Sequence, residues 1–315
     1  MVKEIKGLKC KGHDYLRDNY DFMYEEQYPG CKPHQNTRCV RCGKCAWVCP
    51  SEILRQEEKG GEIRVQHSEE CIACGHCVAV CAKDAIQHSA FPDGTTHPID
   101  YAQLPTADQL FALMQARRSN RALTSRPVPH EALERIVEAA TLAPTATNAR
   151  LLSFTVVTDP EQLRTVADFT IQVFDKLANL LLNPVVKCLV KPFQPELYEK
   201  YAPMFASLKE AYAKGEDPIL RKATALLIIH SPKSNRFGAE EANLAYQNAS
   251  LMAESMGVSQ IYMGFVLTAI RQAKKGAFSR LLGIEGEVFA LMGLGMPAFR
   301  YPRSVDHREQ PVRFL

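Results

Sequence analysis

Eight cysteines of this chain fall into two runs of identical form, Cys39-Cys42-Cys45-Cys49 and Cys71-Cys74-Cys77-Cys81, each spaced C-x2-C-x2-C-x3-C. A tight loop that presents a thiolate every third residue can wrap three corners of a [4Fe–4S] cube. The fourth cysteine, one helical turn further on, then points away towards a second cube. Zinc favours two separated pairs over four evenly stepped thiols, and a disulfide framework suits a small secreted domain. The pattern therefore points to electron transfer. A second constellation is Arg117-Arg118-Ser119-Asn120-Arg121. Convergent guanidinium groups suit a dianionic phosphate, each charge-assisted bond being worth about 1.5–3 kcal/mol. The same run also fits a solvated basic helix end, which the helix dipole favours.

These residues need two kinds of scaffold. The chain has 315 residues, enough for about two domains. Eight cysteines lie in the quartets, Cys10 and Cys31 precede them, and Cys188 follows. That asymmetry marks a small metal domain joined to an ordinary globular one, with the metal as the centre of a segment too short to bury much core. Residues 1–35 read as a polar N-terminal extension, 36–98 as the cluster domain and 99–315 as the larger domain. The Gly60-Gly61 pair followed by Ile63–Val65 reads as hairpin-like, and the turn residues of 91–98 read as a linker.

In the larger domain, Thr106-x-x-Gln109 is a capping box opening a helix with Leu110, Phe111, Leu113 and Met114. A helix is expected from His130 to Leu142, another from Asp159-Pro160, and a third over 239–256 with Gly257 as its stop. Phe154–Val157 and Ala225–Ile229 read as strands, and Val288–Met292 as the strand that closes the sheet. The class is α+β, a sheet covered by helices. Residues 184–218 read as an inserted helical cover. Its aromatics (Tyr198, Tyr201, Phe205, Tyr212) fit core packing better than a lid.

The first quartet is followed by Pro50, and both quartets resemble those of bacterial two-cluster ferredoxins; Ala82 stands where the second would carry proline. The resemblance implies Cys39, Cys42, Cys45 and Cys81 for one [4Fe–4S] cluster, and Cys71, Cys74, Cys77 and Cys49 for the other. The larger domain resembles the nitroreductase family of FMN enzymes, in the subgroup with such a ferredoxin domain fused at the N-terminus. That family's R-R-S-x-R element matches Arg117, Arg118, Ser119 and Arg121, implying contacts to the FMN phosphate and ribityl chain. Its P-S-x-x-N-x-Q element matches Pro144, Thr145 and Asn148, whose amide would meet the flavin edge, with Arg150 in place of the glutamine. The run Ile261–Phe265 resembles the stretch that approaches flavin N5 and O4, with the Met263 amide as donor and Gly264 allowing close approach. Arg303 and Arg308 resemble C-terminal phosphate contacts. The resemblance also implies a homodimer.

The expected function is an FMN-dependent oxidoreductase with two [4Fe–4S] clusters and a small electron-poor acceptor such as a nitroaromatic, quinone, enone or flavin. No nucleophile–base pair is expected, because FMN carries the chemistry. The donor is NAD(P)H or reduced ferredoxin; no G-x-G-x-x-G fingerprint is present, which this family does not require. The alternative is a non-enzymatic electron relay or redox sensor serving a protein partner. A side-chain charge of +3 without a basic block argues against nucleic acid. The N-terminal sequence lacks an apolar stretch, and the run Leu177–Val190 is broken by Asn183, Pro184 and Lys187, so neither a Sec signal nor a membrane span is expected. Reduced thiols holding iron favour the cytoplasm. Cys10-x-x-His13 and Cys31-x-x-His34 form a Cys2His2 set that fits either zinc or two free thiols with surface histidines.

Overall fold

A computed structural model describes residues 34–35, 37–92, 94–306 and 308–315. Cys10, His13 and Cys31 of the Cys2His2 set lie outside the described residues, as does the side chain of His34. The chain divides into two compact units. One extends to Leu104 and includes Thr145–Arg150; the other comprises Pro105–Pro144 and Leu151–Leu315.

The first unit contains, in order, β1 (His34–Gln35), α1 (Lys44–Trp47), β2 (Leu54–Gln56), β3 (Ile63–Val65), α2 (His76–Ala79) and β4 (Ile86–Gln87). β1 pairs with β4 and β2 with β3, both antiparallel. The two halves repeat at an offset of 32 residues, from Cys39 to Cys71 and from Cys49 to Cys81. The backbone repeats with them: Arg41 and Ala73, Gly43 and Gly75, and Glu52 and Asp84 all take positive φ. Each one-turn helix is entered from its glycine, at φ 75° and 76°. A left-handed residue there swings the chain out of the cysteine loop and into the helix that carries the third thiol. Ile53, Leu54, Ile63, Val78 and Ile86 are buried around the loops. Phe91, expected in a linker, packs half-buried beside this core and forms a bridge with His88. Its ring lies where a Cβ on Gly75 would come within 3.0 Å.

The second unit carries α3 (Ala107–Ala116), α4 (His130–Thr141), β5 (Ser153–Val157), α5 (Pro160–Leu182), α6 (Pro184–Val190), α7 (Ala202–Ala213), β6 (Ala225–Ser231), α8 (Gly238–Ser255), β7 (Ser259–Tyr262), α9 (Gly264–Gln272), α10 (Ala277–Leu281) and β8 (Glu287–Gly295). The Thr106–Gln109 capping box forms in full, and Asp159 caps α5 through the Gln162 amide. The sheet is antiparallel in the order β5-β6-β8-β7. All seven residues of β6 are buried, because helices cover both faces. Leu226, Ile228 and Leu291 face the side packed by α5, α7 and α9. Ala225, Leu227, Ile229, Ala290 and Met292 face α4 and α8. This is the expected α+β architecture.

Two features correct the expectation. β8 does not close the sheet at an edge; it lies between β6 and β7. The edge strand β7, read from sequence only as a flavin-approaching stretch, is a true strand paired with β8 from Ser259↔Gly295 to Tyr262↔Met292. Its four residues are too few for an alternation to show in the sequence. Within 184–218, α7 is core: Phe205 and Leu208 are buried, and the Phe205 ring stacks on Phe174 at 4.7 Å. Tyr212 donates its hydroxyl to Asp168 at 2.6 Å, and burial together with that carboxylate pushes its pKa up to about 12. Among the described residues no helix is long and apolar enough to cross a membrane.

Candidate functional site

In the first unit the eight thiols divide by position rather than by sequence run. Cys39, Cys42 and Cys45 share a cavity of about 190 Å³ with Cys81, under a lining of Ile63, Val80 and Ile86. The thiol electrostatics divide the same way. Burial pushes the Cys45 thiol up, and Cys39 and Cys81 add to the rise. Cys71 and Cys77 are likewise raised by burial first, with Cys74 and Cys49 contributing, and Cys77 reaches about 12. The fourth cysteine of each run thus sits with the first three of the other. Buried thiols held this close carry mutual repulsion as thiolates, which a cationic iron centre relieves. Among the described residues no three His, Cys, Asp or Glu side chains are grouped to hold a single metal ion. Backbone amides already point at the sulfurs: Arg41 N–H to Cys39 at 3.4 Å, Ile53 N–H to Cys49 at 3.3 Å and Ala85 N–H to Cys81 at 3.2 Å. The donor set fits the iron–sulfur reading.

Sequence reasoning missed His88. It is 5 % exposed, and its Nε2 lies 3.4 Å from Cys71 Sγ. Burial lowers its pKa. Nothing in the local sequence marks it, although the offset of 32 residues pairs it with Gln56.

Asn148 lies against the second cysteine loop: its amide nitrogen donates to the carbonyls of Ala73, at 2.8 Å, and Ile72, at 3.2 Å. The turn is tight: Thr147, Asn148 and Arg150 all have φ near +50°, and Thr145 Oγ1 accepts the Arg150 amide at 3.0 Å. Pro144 is exposed immediately before it, at the end of the second unit's first segment.

In the second unit, Arg117–Arg121 does not extend α3. The chain leaves the helix at Arg117 and runs alongside β7, where Ser119 bridges to Gln260 and the Asn120 amide donates to the Gln260 carbonyl at 3.1 Å. Asn120 is buried and bonds Ser259 Oγ at 3.0 Å, which fixes the register of the run. Arg118 Nη2 donates to the Arg303 carbonyl at 3.1 Å, and its guanidinium lies 4.6 Å from the centroid of the Tyr301 ring. Two buried donors at this place, Arg118 Nε and Gln260 Nε2, have no acceptor. A buried N–H left unmade costs about 1–3 kcal/mol, so the site is built to receive an acceptor. Gln260 Oε1 is already bonded by the Tyr246 hydroxyl. Burial raises the pKa of Glu254, against the pull of the nearby Arg300, Arg117 and Arg118 cations.

β7 links this cradle to α9, but the Met263 amide is not free for a ligand. It donates to the Leu291 carbonyl at 3.1 Å, and the side chain is buried where a Cβ on Gly293 would collide with its methyl group. Gly264, at the first position of α9, has open space where a Cβ would lie. Arg303 joins the cradle through its carbonyl. Arg121 and Arg308 are exposed.

Residues 38–86 match the model of the 4Fe-4S dicluster domain, and residues 114–296 match that of the nitroreductase family. The molecule is an oxidoreductase that carries its own iron–sulfur domain. With more than half of its length so matched, the chain belongs to the nitroreductase family. An Archaeoglobus fulgidus protein provisionally named NADH dehydrogenase/NAD(P)H nitroreductase is 23% identical over 197 residues, 60% of this chain and 86% of that protein. Among solved structures, a Bacteroides fragilis nitroreductase with bound FMN is 18% identical, covering 65% of this chain and 99% of that one at a TM-score of 0.49. A Desulfitobacterium hafniense nitroreductase with bound FMN is also 18% identical, covering 65% and 98% at a TM-score of 0.48.

Proposed function

We propose that the chain is an FMN-dependent oxidoreductase that couples two [4Fe–4S] clusters to the reduction of a small electron-poor acceptor, with NAD(P)H or reduced ferredoxin as donor. The observation that carries this reading is the interleaving of the cysteines, in which Cys81 shares a cavity with Cys39, Cys42 and Cys45. Such crossing suits two cubes and has no use in a single-ion site.

FMN fits the second unit because its phosphate would supply the acceptor that Arg118 Nε lacks, beside Arg117 and Ser119. When bound it supplies hydride or single-electron transfer at its ring, while the protein holds and orients it. Gly264 leaves room for close approach, and the N–H groups of the first turn of α9 offer donors there. Arg121, Pro144, Thr145, Arg303 and Arg308 remain the outer members of the proposed set, whereas Met263 serves as the packed support behind Gly264. The family's homodimer is supported by α3, which carries Leu110, Phe111 and Met114 exposed and buries none of its residues.

Anaerobic titration with NADH and with NADPH, following flavin and iron–sulfur absorbance, tests the reading. Bleaching of the flavin by either nucleotide makes it the donor; bleaching only by low-potential ferredoxin makes the clusters the entrance. A purified protein that binds neither FMN nor iron would refute the proposal.

A further inference from the structure

The two halves of the cluster unit match in cysteine spacing, in backbone conformation and in helix position, yet they differ at one place beside a sulfur. Cys71 is the counterpart of Cys39, and His88 is the counterpart of Gln56. Gln56 turns its amide away from sulfur and donates to the carbonyls of Arg41 and Gly61, both at 2.9 Å. His88 instead approaches Cys71 Sγ at 3.4 Å.

The tautomer is fixed by the neighbouring backbone. The Ala90 amide donates to His88 Nδ1 at 3.1 Å, so Nδ1 carries the lone pair and Nε2 carries the hydrogen. The ring is held in place by Phe91, whose centroid is 5.1 Å away, and by the turn in which the Phe91 amide donates to the His88 carbonyl at 2.8 Å. Being buried, the N–H has no water to share itself with, and its dipole is aimed at the sulfur.

We propose that His88 donates its Nε2–H to Cys71 Sγ and so sets the cluster held by Cys49, Cys71, Cys74 and Cys77 at a higher reduction potential than its twin. Reduction adds negative charge to the cluster and its thiolates, and a fixed N–H directed at a ligand sulfur stabilises that added charge. With both clusters bound, an electron held by the cluster of Cys39, Cys42, Cys45 and Cys81 would pass to its twin, oxidising the first by one electron and reducing the second by one, with no proton moved. His88 is a positioning residue that acts through Cys71, and its role rests on the cluster reading above.

The test is a pair of measurements on the cluster-loaded full chain. In protein labelled with 15N-histidine, one reduced cluster should show hyperfine coupling to a single histidine nitrogen, and His88→Phe should abolish it. In a redox titration followed by electron paramagnetic resonance, His88→Phe should lower the potential of that cluster alone. A tenfold loss in electron partition corresponds to 59 mV for a one-electron couple. Equal movement of both potentials, or of neither, would overturn the proposal. If the variant fails to hold iron, the labelled wild type decides alone, and two reducible clusters without histidine coupling sink the role of His88. A wild type without reducible clusters would instead defeat the cluster reading.

Discussion

Replacing Arg118 with methionine separates phosphate recognition from ring recognition. In the structure one guanidinium nitrogen is held by the Arg303 carbonyl and the plane is supported by Tyr301, while Nε is buried with no acceptor. Binding of a phosphate would satisfy that orphan and add a charge-assisted bond worth about 1.5–3 kcal/mol. At about 1.4 kcal/mol per factor of ten, Arg118→Met should weaken FMN about 10- to 150-fold. Riboflavin lacks the phosphate, so its affinity should barely change, and the preference for FMN over riboflavin should collapse by the same factor. Without flavin the stability should move by no more than about 1 kcal/mol, because relief of the uncompensated Nε offsets loss of the Arg303 bond and the Tyr301 contact. Equilibrium dialysis of flavin-depleted protein against each ligand, with thermal melts alongside, reads all three quantities. Equal losses for FMN and riboflavin would show that Arg118 shapes the pocket without contacting the phosphate.

Two other perturbations probe assembly and the fold. Phe111→Glu places a charge on the exposed apolar face of α3; light scattering should show dimers replaced by monomers, and an unchanged dimer would place the interface elsewhere. His230 donates Nδ1–H to the Glu285 carbonyl at 2.8 Å and accepts the Thr155 hydroxyl at Nε2, at 3.0 Å, while burial holds its pKa below the usual 6.5. Between that lowered value and 6.5 the unfolded chain takes up a proton that the folded chain refuses, so stability is full above pH 6.5 and falls as pH drops. The melting temperature should therefore fall less between pH 7.5 and 5.5 in His230→Gln than in the parent, and equal falls would remove His230 from the account.

The sequence by itself determined the features whose causes are local. A thiol every third residue describes a metal loop wherever the loop sits. Thr106 with Gln109, and Asp159 before Pro160, satisfy the first amides of helices that begin within three residues of them. The apolar runs of β6 and β8 were legible because buried central strands need unbroken hydrophobicity, whereas the edge strand β5, buried only at Val157, showed through its β-branched and aromatic residues. The tertiary structure decided what depends on distant pairing. β8 lies between β6 and β7 because strand order follows from how two helical layers cover the sheet. That pairing commits the Met263 amide to Leu291, 28 residues away (263 to 291), where the motif alone suggested a flavin donor. Asn148 is turned to the carbonyls of Ile72 and Ala73, more than seventy residues earlier, by a run of left-handed residues that no short motif encodes. His88 acquires a role only because folding carries it to Cys71 while the Ala90 amide fixes its tautomer. Residue type limits the bonds a side chain can make, and the long-range packing chooses which of them is made.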